Sequence, residues 1–357
     1  MKSDLLLKFF PVPKFLKPVA IGFDISDHSI KFLELLKGEG GFKLGRLGEV
    51  LVPVGVVEGG ELKNLEAFKQ ILIELKNKWH FDNVFISLPD DHAYTFGLTL
   101  PLMKVEEIAG SIELQIEEYV PLPGPEVVFD FNLIEPNDVV NKISVGVSAI
   151  SRKIIESYQT VFTSAGLHLL AIGTQGGAVT RTLTERGKKS EIVIVDLGKN
   201  HTAIFWVKNG TVIHSATAPV GGEAMTNNLQ KVLKIDFAEA EKIKMTKGLL
   251  RSDENKMAFE SMIPVASAIR EEIERRISFW LDQEKMSLAD LEQIMLVGGQ
   301  ALLPGLVEYL GSHLGRPVVL GNPWFKVFSD KQKVTELSYN EALRYCTAIG
   351  LALRNFE

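Results

Sequence analysis

Two stretches of this chain read as copies of one unit. VAIGFDISDHSIKFLELLKGEG (19–40) and EIVIVDLGKNHTAIFWVKNG (191–210) each give a β-rich run ending in Asp, a small polar turn and a second β-rich run. Asp24 and Asp196 fall at matching places, 172 positions apart. A repeated strand–turn–strand unit implies a duplicated domain, with each half presenting a polar turn at a strand end. Ligands of open α/β sheets sit outside strand ends, so the two turns are expected to face each other across a cleft. Two β-hairpins also come to look alike by chance, and the hairpins alone leave that alternative open.

The rest of the chain supports α/β layering. Strands are expected at 19–25, 30–36, 84–88, 142–150, 191–197, 202–208 and 293–297. Val105, Ile108, Ala109, Ile112, Ile116 and Tyr119 share one stripe of a helix over 105–119. A second stripe of Val265, Ile269, Ile273, Ile277, Trp280 and Leu281 predicts a helix over 264–282. Its other face pairs Glu271 with Arg275 and Glu272 with Arg276, a solvated surface. Pro304 is expected in the first turn of a helix over 304–314, and the PLPGP run at 121–125 ends the helix before it. At 357 residues there is chain for two or three domains.

Composition narrows function by exclusion. The 39 basic and 45 acidic side chains leave a net charge of −6, which argues against a nucleic-acid partner. No run approaches the about 18 apolar residues needed to span a bilayer. Cys346 is the single cysteine, so no internal disulfide forms and a reducing compartment fits. The histidines show no paired metal spacing, and no G-x-S-x-G elbow is present. Residues 1–18, MKSDLLLKFFPVPKFLKP, stand apart as a basic, apolar leader. Its lysines and prolines interrupt any secretory core. The leader is expected either to lie on an anionic bilayer or a partner, or to be ordered only against the body.

The chemistry sits in the turns. Asp24-Ile25-Ser26-Asp27-His28-Ser29 can aim amides and hydroxyls at an anion, with Lys31 near enough to neutralise it. Asp196-Leu197-Gly198-Lys199-Asn200-His201-Thr202 carries a glycine suited to positive φ and close phosphate approach. Asp24 and Asp196 could hold Mg²⁺ through waters; the competing reading is two tight turns capped by Asp and Ser. Gly221-Gly222 opens a helix near Glu223, a place that suits phosphate or merely a turn. Glu241 and Lys244 share a helical face, either at a ribose edge or as surface charges. LVGGQALLPG (296–305) reads strand, glycine turn, helix, without Walker or Rossmann spacing; Gly298 and Gly299 could seat a flat adenine.

In this order the motifs resemble those of the actin-like ATPase superfamily: actin, Hsp70, sugar kinases and FtsA. The stretch VFISLPDDHAYTFGLTLPLMKVEEIAGSIELQIEEYVPLPGPEVVFDFNLI (84–134) is similar to the insert subdomain, 1C, of the PilM family of type IV pilus assembly. NEALRYCTAIGLALRNF (340–356) resembles that family's last helix. The resemblance implies an α/β, actin-like (ribonuclease H-like) duplicated two-lobed fold with an FtsA/PilM-type 1C insert. Subdomain 1A would comprise 19–83, 160–188 and the helix 340–356. The insert would be 84–159, subdomain 2A 189–223 with 291–339, and subdomain 2B 224–290.

It further implies ATP with Mg²⁺ between the lobes. Asp24, Ser29 and Lys31 match phosphate 1, and Asp196, Gly198 and Thr202 match phosphate 2. Gly221, Gly222, Glu241 and Lys244 match the ribose and phosphate side, Gly298 and Gly299 the adenine side. The implied partners are the N-terminal tail of a PilN-like membrane protein and other inner-membrane and motor components of the pilus. The implied place is the cytoplasm, peripheral to the inner membrane.

Departures from the family pattern matter. Ser26, Asp27 and His28 replace glycine and small hydroxyls, and Asp27 is expected to set an extra negative charge beside the phosphates. Lys199, Asn200 and His201 also replace smaller residues. Gln175 stands where a water-orienting Glu or Gln is expected; it can position water but is a poor base, so hydrolysis is expected to be slow or absent. A sugar-kinase-like phosphotransferase and an FtsA-like division filament protein are the alternatives.

Overall fold

The computed structural model describes residues 18–38, 41–137, 140–328 and 336–357. The expected leader, Pro18 aside, lies outside the described residues. Strands β1 (Ile21–Ile25), β2 (Ser29–Gly38) and β3 (Gly41–Leu51) are followed by the small hairpin β4 (Val57–Glu58) and β5 (Glu61–Leu62). Next come β6 (Asn83–Leu88), β7 (Ala93–Pro101), β8 (Val127–Leu133), β9 (Lys142–Ser151) and β10 (His168–Thr174). The second half supplies β11 (Glu191–Leu197), β12 (Thr202–Lys208), β13 (Thr211–Ala218), β14 (Gln293–Val297) and β15 (Val318–Leu320).

Strand order bears out the duplication. The first sheet runs β10-β6-β1-β2-β3, and the second contains β15-β14-β11-β12-β13 in the same order. In both, the Asp-bearing strand pairs antiparallel with the next strand and parallel with a later one. Asp24 lies opposite Lys31 and Ser87, and Asp196 opposite Ala203 and Val297, so both carboxylates stand at equivalent strand ends.

Each lobe has its own core. Phe23, Phe32, Phe68, Tyr158 and Phe162 are fully buried between the first sheet and the helices Leu65–Trp79 and Arg152–Ser164. The second sheet buries Trp206 and Ile204 under helices Gly222–Leu233 and Lys256–Glu284. Between the sheets lie helices Gln175–Leu183 and Cys346–Leu353. Every residue of the latter is buried, as its all-round apolar sequence requires. The two helices touch through small residues: a Cβ on Gly350 would come within 1.9 Å of the Ala178 carbonyl oxygen. Strands β7, β9 and β8 of the insert extend the second sheet through one registered pair, His214 with Phe96. Among the described residues no helix is long and apolar enough to cross a membrane.

Several expectations need correction. The 105–119 helix is two, Val105–Glu113 and Ile116–Tyr119. The Gln115 side chain donates to the Ser111 carbonyl and its backbone N–H turns to Ile112, which breaks the i−4 ladder. The 264–282 helix begins at Lys256 and keeps Pro264 inside, because buried Ala258 and Met262 extend its apolar face. Helix Leu306–His313 starts two residues past Pro304, behind Gly305 at φ 81°.

Domain edges move too. Strand β6 pairs within the first sheet and helix Arg152–Ser164 packs on it, so the insert is narrower than 84–159. Val327, Phe328 and Leu337 share a core with Leu33 and Leu35, which returns the chain to the first lobe before residue 339.

The helix contact is directly testable. Gly350→Val should lose about 3 kcal/mol of unfolding free energy through overpacking. Gly110→Ala, on an exposed helical face with nothing within 4 Å, should gain up to about 1 kcal/mol. Urea denaturation followed by circular dichroism separates the two; equal effects would show that the crossing is not tight.

Candidate functional site

The two Asp turns line one cleft of about 590 Å³, within the range of small-molecule sites. Asp24 arrives on β1 and Asp196 on β11; the Asp24 side chain is only 14% exposed. Burial pushes the Asp24 carboxyl up, with Glu49 adding and Lys31 opposing. Burial raises Asp196 to about 6, with the Asp24 charge next in weight and the Gln175 bond and Lys31 opposing. The Gln175 amide donates to Asp196 Oδ2 at 2.8 Å. Lys31 Nζ lies 3.9 Å from both Asp24 Oδ2 and Glu49 Oε1, and 3.4 Å from Ser29 Oγ.

A third carboxyl was not legible as a site residue. Asp90 follows β6, is 6% exposed and accepts the Gly176 N–H at 2.8 Å, at the start of helix Gln175–Leu183. Its Oδ1 is buried with no partner among the described residues. Burial raises Asp90 to about 7, with Asp91 and Asp196 adding and the Gly176 amide opposing. A weak signal was present: Asp90 lies two residues beyond the end of β6, near a strand end as Asp24 and Asp196 are. Glu49 and Arg344 left none, since they reach the cleft from β3 and from the start of the last helical segment, 2.8 Å apart.

The donor set has a clear bias. Buried carboxylates with one nearby ammonium repel a bare anion and suit a hydrated divalent cation. Among the described residues no group of three or more His, Cys, Asp or Glu could hold a metal directly, so waters would complete any shell.

The other expected residues divide. Ser29, Gly198, Glu241, Lys244, Gly298 and Gly299 line the cleft with Asp24, Lys31, Gln175 and Asp196. Gly298 adopts φ 88°, and a Cβ there would meet Asp196 Oδ1 at 2.3 Å, so glycine makes room for the carboxylate. Gly198 does not take the expected positive φ; it admits the His201 carbonyl, to which its N–H donates. Thr202 is fully buried and donates its hydroxyl to the Val220 carbonyl, away from the cleft. The N–H groups of Gly222 and Glu223 donate to the Gly198 and Lys199 carbonyls, so they brace the second turn instead of facing outward. Gly221 packs on the same turn: a Cβ there would meet the Lys199 carbonyl at 2.5 Å.

Lys244 is no surface charge. It is 1% exposed and donates to Glu241 at 2.7 Å, Thr226 at 2.9 Å and the Gly222 carbonyl at 3.2 Å. Asp27 lines the cleft too, and its carboxylate accepts the Gly59 and Gly60 amides at 2.9 and 3.2 Å, which tie it to the β4–β5 hairpin.

A family model described as "Type IV pilus assembly protein PilM" matches residues 22–356. The chain belongs to the PilM family. A chain of the PilM-PilN type IV pilus biogenesis complex superposes with a TM-score of 0.76 at 22% identity, covering 95% of this chain and 98% of that one. MreB5 of Spiroplasma citri bound to ADP gives a TM-score of 0.55 at 12% identity, with 95% of each chain covered. These likenesses confirm the actin-like fold of this PilM-family chain. In sequence it is similar to the cell division protein FtsA of Neisseria meningitidis, 27% identical over 188 residues. That match takes in 47% of this chain and 44% of the relative, so the chain covers less than half of that protein's length.

The raised carboxyls predict a pH dependence of a definite sign. Asp90 goes from its ordinary 3.8 to about 7, so the folded state binds the proton more tightly than the unfolded one. Ligand-free stability should therefore fall as pH rises from about 4 through 7 and level off above. Asp90→Asn should reduce the loss between pH 5 and pH 8 by on the order of 2 kcal/mol. Denaturant titrations at both pH values check this; an unchanged slope in the variant would disprove the assignment.

Proposed function

We propose that this chain binds Mg-ATP between its lobes and serves as a nucleotide-dependent adaptor in type IV pilus assembly. The observation that carries this reading is the approach of Asp24 and Asp196, repeat-related carboxylates buried in one cleft. A hydrated Mg²⁺ would neutralise these carboxylates and the phosphates together. Lys31, held between Asp24, Glu49 and Ser29, would meet phosphate oxygens. Glu241 keeps Oε2 on Thr226 and Lys244, which would leave Oε1 for a ribose hydroxyl. Gly298 and Gly299, walled by the Arg344 side chain, would take the adenine face. Gln175 donates one amide N–H to Asp196, and its second N–H and its carbonyl oxygen could orient a water but not take its proton. Slow or absent hydrolysis follows.

Membership of the PilM family and the likeness to the PilM-PilN complex support a PilN-like N-terminal tail as partner. The insert supports it as well. Leu98 and Leu100 form its core, while Leu102, Val105 and Leu114 remain exposed as anchors for an extended peptide. Such a partner, with other inner-membrane and motor components of the pilus, would place the chain in the cytoplasm against the inner membrane. An FtsA-like filament protein is the second reading, favoured by the curated sequence relatives.

Calorimetric titration with Mg-ATP should give saturable binding that weakens about 100-fold, roughly 2.8 kcal/mol, in Asp196→Ala. Equal affinity in the variant would remove the cleft from consideration. Sedimentation in the same mixture separates the readings, because long pelletable polymers would favour the filament protein.

A further inference from the structure

Two side chains, one from each Asp turn, meet across the cleft. His28 of the first turn and Asn200 of the second stand 172 positions apart, the spacing that relates Asp24 to Asp196. Their side chains touch, with His28 Nε2 and Asn200 Nδ2 2.6 Å apart. Both line the cleft. The contact therefore crosses from one lobe to the other at the phosphate turns.

Each turn is anchored to its own lobe. Asp27, beside His28, is pinned by the Gly59 and Gly60 amides. Lys199, beside Asn200, pairs with Glu223 at 3.3 Å and lies 5.9 Å from the Phe237 ring centre. Each turn is thus braced within its own lobe, and the contact ties the two lobes through these side chains. The contact is also incompletely satisfied. Asn200 Oδ1 is buried without a partner among the described residues, and an unpaired buried carbonyl oxygen is unfavourable. Opening the contact would let that oxygen reach water.

We propose that His28 and Asn200 form a clasp that closes the phosphate end of the cleft and governs nucleotide entry and release. Its nucleotide role rests on the Mg-ATP reading above; its existence as an inter-lobe bond does not. In the closed state the clasp holds the two turns at a set separation. A nucleotide enters when the clasp parts and is retained when it re-forms.

The test uses the full chain, with His28→Ala, Asn200→Ala and the double variant. In ligand-free protein, amides of 24–29 and 196–202 should exchange with deuterium about 10-fold faster in each single variant, the value expected for one lost hydrogen bond. Release of a fluorescent ATP analogue, chased with excess Mg-ATP, should accelerate about 10-fold in each. The double variant should release no faster than either single one. Rate effects that multiply in the double variant, or turn amides that exchange as in the parent chain, would overturn the clasp even if nucleotide binds. Faster exchange without nucleotide binding in any form would retain the clasp as an inter-lobe bond and overturn the Mg-ATP reading.

Discussion

Carboxylates held out of water at the seam of two lobes are the constraint that the rest of this structure serves. Asp24, Asp196 and Asp90 reach one cleft, and Lys31 is the ammonium set beside them. Such an arrangement is unfavourable unless protons or a cation offset the charge, and the raised carboxyls record that strain. The duplication is how the fold assembles it. Equivalent strands end in equivalent carboxylates, and packing the two sheets toward a common axis brings the ends together.

That axis is apolar and tight. Helix Cys346–Leu353 packs on the first sheet and helix Gln175–Leu183 on the second, and the two meet through Gly350 and Ala178. The second of these helices opens at Gln175 and Gly176, whose side chain and amide engage Asp196 and Asp90. The inter-lobe joint and the cleft chemistry thus share one helix terminus. The root of the insert adjoins it, since Asp90 lies three residues before β7. The cleft, the joint between the lobes and the root of the insert therefore meet in this small region.

Much of the fold was legible. Strand periodicity placed β1, β2, β6, β9, β11, β12 and β14 but not β3, β7, β8, β10, β13 or β15, and the Asp-turn pair pointed to the duplication and the cleft, because both signals are local patterns. Misreadings came where side chains competed with the backbone, as at Gln115, or where tertiary burial carried a helix through a proline, as at Pro264. The site divided in the same way. Asp24, Lys31, Asp196 and Gly298 line the cleft, while Thr202 and the amides of Gly222 and Glu223 are spent inside the fold.

By itself the sequence determined the two repeated units, their carboxylates and the apolar faces that pair each sheet with its helices. Alternation and helical spacing are properties of neighbouring residues. Only the tertiary structure decided that Asp90, Glu49 and Arg344 join the cleft, that Asp27 turns to a hairpin, and that His28 reaches Asn200. Those contacts depend on how two separately folded sheets are oriented, and the packing of the helices between them sets that orientation.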